Sequence, residues 1–168
     1  MNNWTIFKDR FVLGEERWRD IRRICVEITG DFISGQVLAS ILYWNLPGKS
    51  TEHESKLRSK KMIDGVETDI LAKSHTQMFL ELGINRWQYR KSLDLIKARG
   101  IITTHIKRFN GHGTTSSVFN KELFASQYFE AVQSYQTKVD EYKESLKKER
   151  ESRASRLNSL PTLAYPAN

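Results

Sequence analysis

One cysteine, three prolines and no long apolar run set the first limits on this chain. The lone Cys25 lies in the apolar run RRICVEITG, which excludes a disulfide framework and a cysteine metal cluster and reads as a buried, inert thiol. No window approaches the length of apolar sequence that a membrane-spanning helix needs, and MNNWTIFKDRF lacks the basic and then apolar order of a secretion signal. A cytoplasmic chain with no membrane partner is expected. Gly-rich phosphate loops and nucleophile motifs are missing, and His53, His75, His105 and His112 are too widely separated for metal-ligand spacing. The expectation is therefore no enzyme, no metal, no cofactor and no small-molecule substrate.

Acidic residues are scarce in one place above all. The 168 residues carry a net charge of +7, yet residues 1–30 are nearly balanced, with six basic and five acidic side chains. From Leu82 to Arg108 there are seven Lys or Arg and a single acid, Asp94. A local excess of this kind favours an anionic partner. With 39% hydrophobic residues the chain is long enough for one domain with a real core and one appended element.

Trp18, Ile21, Ile24, Cys25 and Ile28 stand at helical spacing and predict an amphipathic helix over 15–29 that ends near Gly30. ISGQVLASILYWN predicts a second helix, with Ser34 as its cap, Ile33 and Leu38 as a staple, and Leu46-Pro47-Gly48 as its stop. The polar run from Lys49 to Lys61, with five Lys or Arg and two Glu, predicts an exposed charged loop, and VETDILAK a short strand. Ser74-His75-Thr76-Gln77 has the capping-box form and opens a helix to Leu82. Gly83 can stop it, and Asn85 with Gln88 forms a second box that opens a helix from Arg86 to Arg99. IITTHIKRF and TTSSVF then predict two strands around Asn110-Gly111-His112-Gly113.

On the Arg86–Arg99 helix, Tyr89, Leu93 and Ile96 share one face and are expected to bury. That turns Arg86, Trp87, Arg90, Lys91 and Asp94 outward, with Gln88 at their flank. A helix fits the major groove of duplex DNA, where Arg pairs with guanine and Gln with adenine. Arg86, Gln88 and Arg90 are the expected base readers and Lys91 a phosphate contact, while Trp87 either stacks on sugar and thymine methyl groups or packs inward. In the hairpin, Lys107, Arg108, Asn110, His112 at the tip, Thr114 and Thr115 suit a phosphate backbone or the adjacent minor groove. Lys73, Ser74 and His75 at the earlier helix start offer one more phosphate contact.

The run KSHTQMFLELGINRWQYRKSLDLIKARGIITTHIKRFNGHGTTSSVF, with ILYW before it, resembles the winged helix-turn-helix domains of bacterial phages, plasmids and integrated elements, among replication-associated proteins and transcriptional regulators. The resemblance spans about residues 33–120. It implies a recognition helix on duplex DNA that carries Arg86, Gln88, Arg90 and Lys91. The fold class expected is mainly α with a small β-hairpin: a winged helix-turn-helix core over 31–120 with a charged loop at 48–62, an N-terminal helix over 1–30 and a long C-terminal helix over 121–150.

In that last helix Ala125, Tyr128, Val132, Tyr135, Val139, Tyr142 and Leu146 alternate at spacings of three and four, a heptad seam. Tyr128, Val132, Tyr135, Val139, Tyr142 and Leu146 are its candidate dimerisation residues; the rival is that the helix folds back on the N-terminal helix. Residues 151–168 are expected to be a disordered tail. The function expected is a sequence-specific, double-stranded-DNA-binding homodimer that associates with the nucleoid and regulates transcription of a mobile element. Replication initiation or partition is the alternative within DNA binding, a winged-helix adaptor for other proteins the alternative outside it, and RNA binding the weakest.

Overall fold

The computed structural model describes residues 2–48, 56–57, 59–109 and 112–158, and within them all side chains but those of 106–109, 112–114, 157 and 158. The chain forms two compact units, Met1–Val132 and Gln133–Asn168. Six helices and four strands follow one another among the described residues: α1 (Asn3–Val12), α2 (Trp18–Thr29), α3 (Phe32–Asn45), β1 (Ser59–Ile63), β2 (Val66–Ala72), α4 (His75–Leu82), α5 (Arg86–Ala98), β3 (Ile102–Phe109), β4 (His112–Phe119) and α6 (Lys121–Asn158). The result is a mainly helical fold with a small antiparallel four-stranded sheet and a long C-terminal helix, where the sequence predicts only a hairpin and a short strand.

The expected single helix over 1–30 is two. Asn2 caps α1 by accepting the Thr5 amide at 2.9 Å, and Trp4 and Phe7 bury its inner face. The chain turns at Leu13 and Gly14 before α2 begins, because Gly14 takes a positive φ of 76° that ends the first helix. The cap of α3 lies three residues before the expected Ser34: it is Asp31, whose carboxylate accepts the Ser34 amide at 2.8 Å. Ser34 is itself buried, and its hydroxyl donates to the same carboxylate at 2.7 Å. That hydrogen bond, ahead of the amide, holds the Asp31 carboxyl below its ordinary pKa. α3 lies close on α2 because Gly35 has no side chain: a Cβ there would stand 2.5 Å from Val26 Cγ2.

The expected charged loop over 48–62 also changes. Its last part is β1, which pairs antiparallel with β2 from Ser59 opposite Ile70 to Ile63 opposite Val66. Asp64 and Gly65 make the turn with positive φ, and Lys60 reaches Glu67 at 2.9 Å across the pair, so Lys60 and Lys61 lie in a strand and not in an open loop. Residues 49–55 and 58 of the loop lie outside the described residues. The sheet order is β1-β2-β4-β3. β2 joins the β3–β4 hairpin through Leu71 opposite Ser117 and Ala72 opposite Ser116, and the Ser117 hydroxyl donates to the Leu71 carbonyl at 3.4 Å.

An aromatic core gathers Trp4 and Phe7 of α1, Phe119 at the end of β4, and Phe124 and Tyr128 of α6, with neighbouring ring centroids 4.8 to 6.1 Å apart. Tyr128 is 1% exposed and its hydroxyl donates to Glu16 at 2.6 Å, while Arg10 holds the other oxygen of Glu16 at 2.8 Å. Tyr128 therefore belongs to the core of its own chain and not to a dimer seam. The first turns of α6 fold back on α1, within the segment 1–30 expected as the N-terminal helix, through Phe7 against Phe124 and Tyr128. α6 then runs to Asn158, past the expected start of a tail at 151, and Glu149 with Arg153 (2.7 Å) adds a helical i,i+4 pair. Residues 159–168 lie outside the described residues.

Candidate nucleic-acid interface

Local chemistry positions the two central helices. Ser74 Oγ accepts the Gln77 amide at 3.2 Å and Gln77 Oε1 accepts the Ser74 amide at 2.9 Å, so both ends of the first capping box close. Gly83 ends α4 at φ 68°, a conformation that costs a side-chain-bearing residue. Two residues later Asn85 Oδ1 accepts the Gln88 amide and Gln88 Oε1 accepts the Asn85 amide, both at 2.9 Å, and α5 begins.

The inner face of α5 is Tyr89, Ser92, Leu93 and Ile96, all buried. It rests on α3, where Ser34 Oγ lies 3.1 Å from Ser92 Oγ; the Ser92 hydroxyl in turn donates to the Gln88 carbonyl at 2.8 Å. Ser92 has no place in the apolar spacing of the sequence, and the signal for it was the small pair Ser34-Gly35 in the facing helix. Burial, reinforced by the negative charge of Glu81, pushes the Tyr89 hydroxyl up to about 12.

With that side fixed, Arg86, Trp87, Arg90, Lys91 and Asp94 all emerge on the exposed side of α5. Trp87 does not pack inward: it is 68% exposed, and the Lys91 ammonium lies over its ring at 5.3 Å. The first turn of α5 holds no acid. Arg86 at the first helical position and Arg90 one turn on set cations against the positive end of the helix dipole and against each other, at a cost of a few tenths of a kcal/mol. An anion docked there would offset that cost.

Two expected contacts change role. Lys73 is 6% exposed: its ammonium donates to both oxygens of Glu81 and lies 4.8 Å above the Trp44 ring. It is a structural cation joining β2, α3 and α4, and its buried head is out of reach of a phosphate. Gln88 spends its carbonyl oxygen on the Asn85 amide, so the bidentate pairing with adenine is open to it only at the expense of the cap. Ser74 is likewise engaged in its box, whereas His75 is exposed at the start of α4.

In the hairpin the backbone register sets Lys107 opposite Thr114 and Arg108 opposite Gly113. His112 is paired with Phe109 inside β4 and is not at the tip, since β4 begins two residues before TTSSVF while β3 ends at Phe109, as expected. Asn110 lies outside the described residues, as do the side chains of Lys107, Arg108, His112 and Thr114. The base of the hairpin is firm: the Ser116 hydroxyl donates to the His105 carbonyl at 3.0 Å, and Ile102 and Phe119 are buried opposite each other.

Cys25 is fully buried, and burial pushes its thiol far up, which leaves it unreactive. Among the described residues, no group of three His, Cys, Asp or Glu is placed to hold a metal ion, and no helix is long and apolar enough to cross a membrane. No family model, curated protein or solved structure matches the chain.

Proposed function

We propose that this chain is a sequence-specific double-stranded-DNA-binding protein of the winged helix-turn-helix type that regulates transcription. The observation that carries the reading is the two-sided α5. Its inner face is anchored on α3, and its outer face sets Arg86, Trp87, Arg90 and Lys91 side by side with no acid in the first turn. The order of α4, a three-residue turn, α5 and a hairpin whose β4 pairs back to the strand before α4 supports the winged-helix type. In this reading α5 enters the major groove, Arg86 and Arg90 donate to guanine edges, and Lys91 meets a phosphate. Trp87 lies against sugar or a thymine methyl group. The β3–β4 hairpin, with Lys107, Arg108, Asn110, His112 and Thr114, grips the flanking backbone or minor groove, and His75 adds a contact at the start of α4.

Selection from a pool of random duplexes tests this, followed by anisotropy titrations of the recovered sequence across salt concentrations. Enrichment of one sequence is expected, with a slope of log affinity against log salt of roughly −5 if about six phosphates are neutralised. An inverted repeat in the recovered site goes with regulation, and direct repeats go with replication initiation or partition. A chain that enriches nothing and leaves duplex DNA unbound in dilute buffer is no DNA reader.

A further inference from the structure

The second half of α6 carries a stripe that the DNA reading does not use. Between Gln133 and Arg156 no described side chain is buried; Tyr135, Val139 and Leu146 are half-buried and Tyr142 is 64% exposed. These four are spaced four, three and four apart and form one apolar seam, with Val139 and Leu146 at a and Tyr135 and Tyr142 at d of a heptad. An apolar seam of this kind is covered by another helix, and the residues beside it select which one. Those flanks are Gln136, Lys143 and Arg150 at e, and Lys138 and Ser145 at g. They hold three cations and no acid.

A second copy of this chain fits the flanks poorly. In a parallel pair Lys138 of one copy faces Lys143 of the other, and in an antiparallel pair e meets e and g meets g, so cation again meets cation or a neutral side chain. The chain does not lack acids here. Residues 133–151 hold five acids, Asp140, Glu141, Glu144, Glu149 and Glu151, against five bases. Four of the five acids sit on the outer positions of the helix and the fifth, Glu149, at the next d. Asp140 draws Lys143 toward that outer side at 3.5 Å, but the pair is exposed and leaves the lysine within reach of a partner. Residues 133–158 hold seven bases against these five acids, an excess of only two, so this half of the helix offers phosphate little net attraction, and a tyrosine and aliphatic seam matches side chains better than a sugar-phosphate backbone.

From this pattern we infer that residues 135–150 dock a helix of another protein, one with an apolar a/d stripe and Asp or Glu at its flanking positions. The seam shares no residue with α5, so the proposed contacts with an anionic duplex and with an acidic helix rest on different side chains.

The test uses the full chain and two labelled synthetic helices of about four heptads, both with Leu at a and d, one with Glu and one with Lys at e and g. The Glu-flanked helix is expected to bind about tenfold more tightly, less so as salt rises. Combined Lys138→Glu, Lys143→Glu and Arg150→Glu should invert the preference while far-UV circular dichroism stays unchanged, and Tyr142→Glu should abolish binding of both helices. Equal binding of the two helices, or binding of neither, overturns the proposal. So does sedimentation of the unmixed chain as a dimer that Tyr142→Glu dissociates, which would place a second copy on the seam. Loss of duplex-DNA affinity in the triple variant equal to the loss in Arg90→Ala would place nucleic acid there and overturn it too.

Discussion

Ser34 Oγ and Ser92 Oγ stand 3.1 Å apart where α3 meets α5. Two small side chains at the crossing let the backbones come close, and the same economy recurs one residue on, where Gly35 lies against Val26 of α2. α5 thus inherits its orientation from a stack of three helices held by small residues. Gly35→Ala tests the stack. The added methyl would meet the Val26 backbone at 2.6 and 2.7 Å as well as its side chain, so the helices must part. A loss of about 2 kcal/mol is expected, read as a lower urea midpoint. An unchanged midpoint would mean that α2 and α3 are not in this contact.

The proposed function gives Arg90 and Lys107 two different kinds of DNA contact. Arg90 is exposed on α5 one turn from Arg86 and is the proposed base reader. Arg90→Ala should cost roughly 1 to 3 kcal/mol on the selected sequence and relax the preference at one base pair. Lys107→Ala, in the hairpin, should weaken selected and random duplexes about equally and make the salt slope shallower by about 1. Competition titrations with single-base variants of the site give both readings. Equal loss on all duplexes for Arg90→Ala would assign that arginine to the backbone instead.

What was legible in the sequence was local. Ser74 with Gln77 and Asn85 with Gln88 carry their partners three residues away, so both capping boxes and the helix boundaries at Gly83 and Asn85 could be read directly. The inward side of α5 was legible because Tyr89, Leu93 and Ile96 repeat at helical spacing, and the outward side followed from it. Partners brought by the fold were not legible. Nothing near Lys73 in the chain announces Trp44, which comes from another helix, or distinguishes Glu81 from any other exposed acid. The core of Phe7, Phe124 and Tyr128 joins the two ends of the first unit, and one heptad pattern continues from buried Tyr128 to exposed Tyr142 without marking the change. α1 did leave a trace: Asn2 as cap, then Trp4, Phe7 and Phe11 at helical spacing.

The Lys73–Glu81 pair yields a prediction that sets fold against function. Glu81→Gln leaves the Lys73 ammonium buried with a neutral partner and should cost about 2 kcal/mol, less than a fully enclosed pair because the Glu81 side chain is 39% exposed. Lys73→Met with Glu81→Gln removes the stranded charge and keeps an unbranched chain over Trp44, so most of that loss should return. DNA affinity of the double variant should match that of the parent chain. A large fall in affinity at unchanged stability would restore Lys73 to the interface.

Tyr89 makes the fold sensitive to alkali. Its hydroxyl is pushed from an ordinary 10.0 to about 12 in the folded chain, by burial first and by the charge of Glu81 second. Below pH 10 the group is protonated whether the chain is folded or not, and its contribution is fully present. Between pH 10 and 12 the unfolded chain ionises Tyr89 while the folded chain does not, so stability is lost as pH rises through that window, by roughly 2 to 3 kcal/mol at its end. Tyr128 titrates higher still for the same reason of burial, aided by its hydrogen bond to Glu16, and adds to the loss. Lysines ionise in the same range, so the informative quantity is a difference between variants. Tyr89→Phe has no hydroxyl to ionise, and its urea midpoint should fall less between pH 9 and 11.5 than that of the parent. Parallel curves would show that Tyr89 ionises as easily folded as unfolded, which is incompatible with a side chain only 9% exposed.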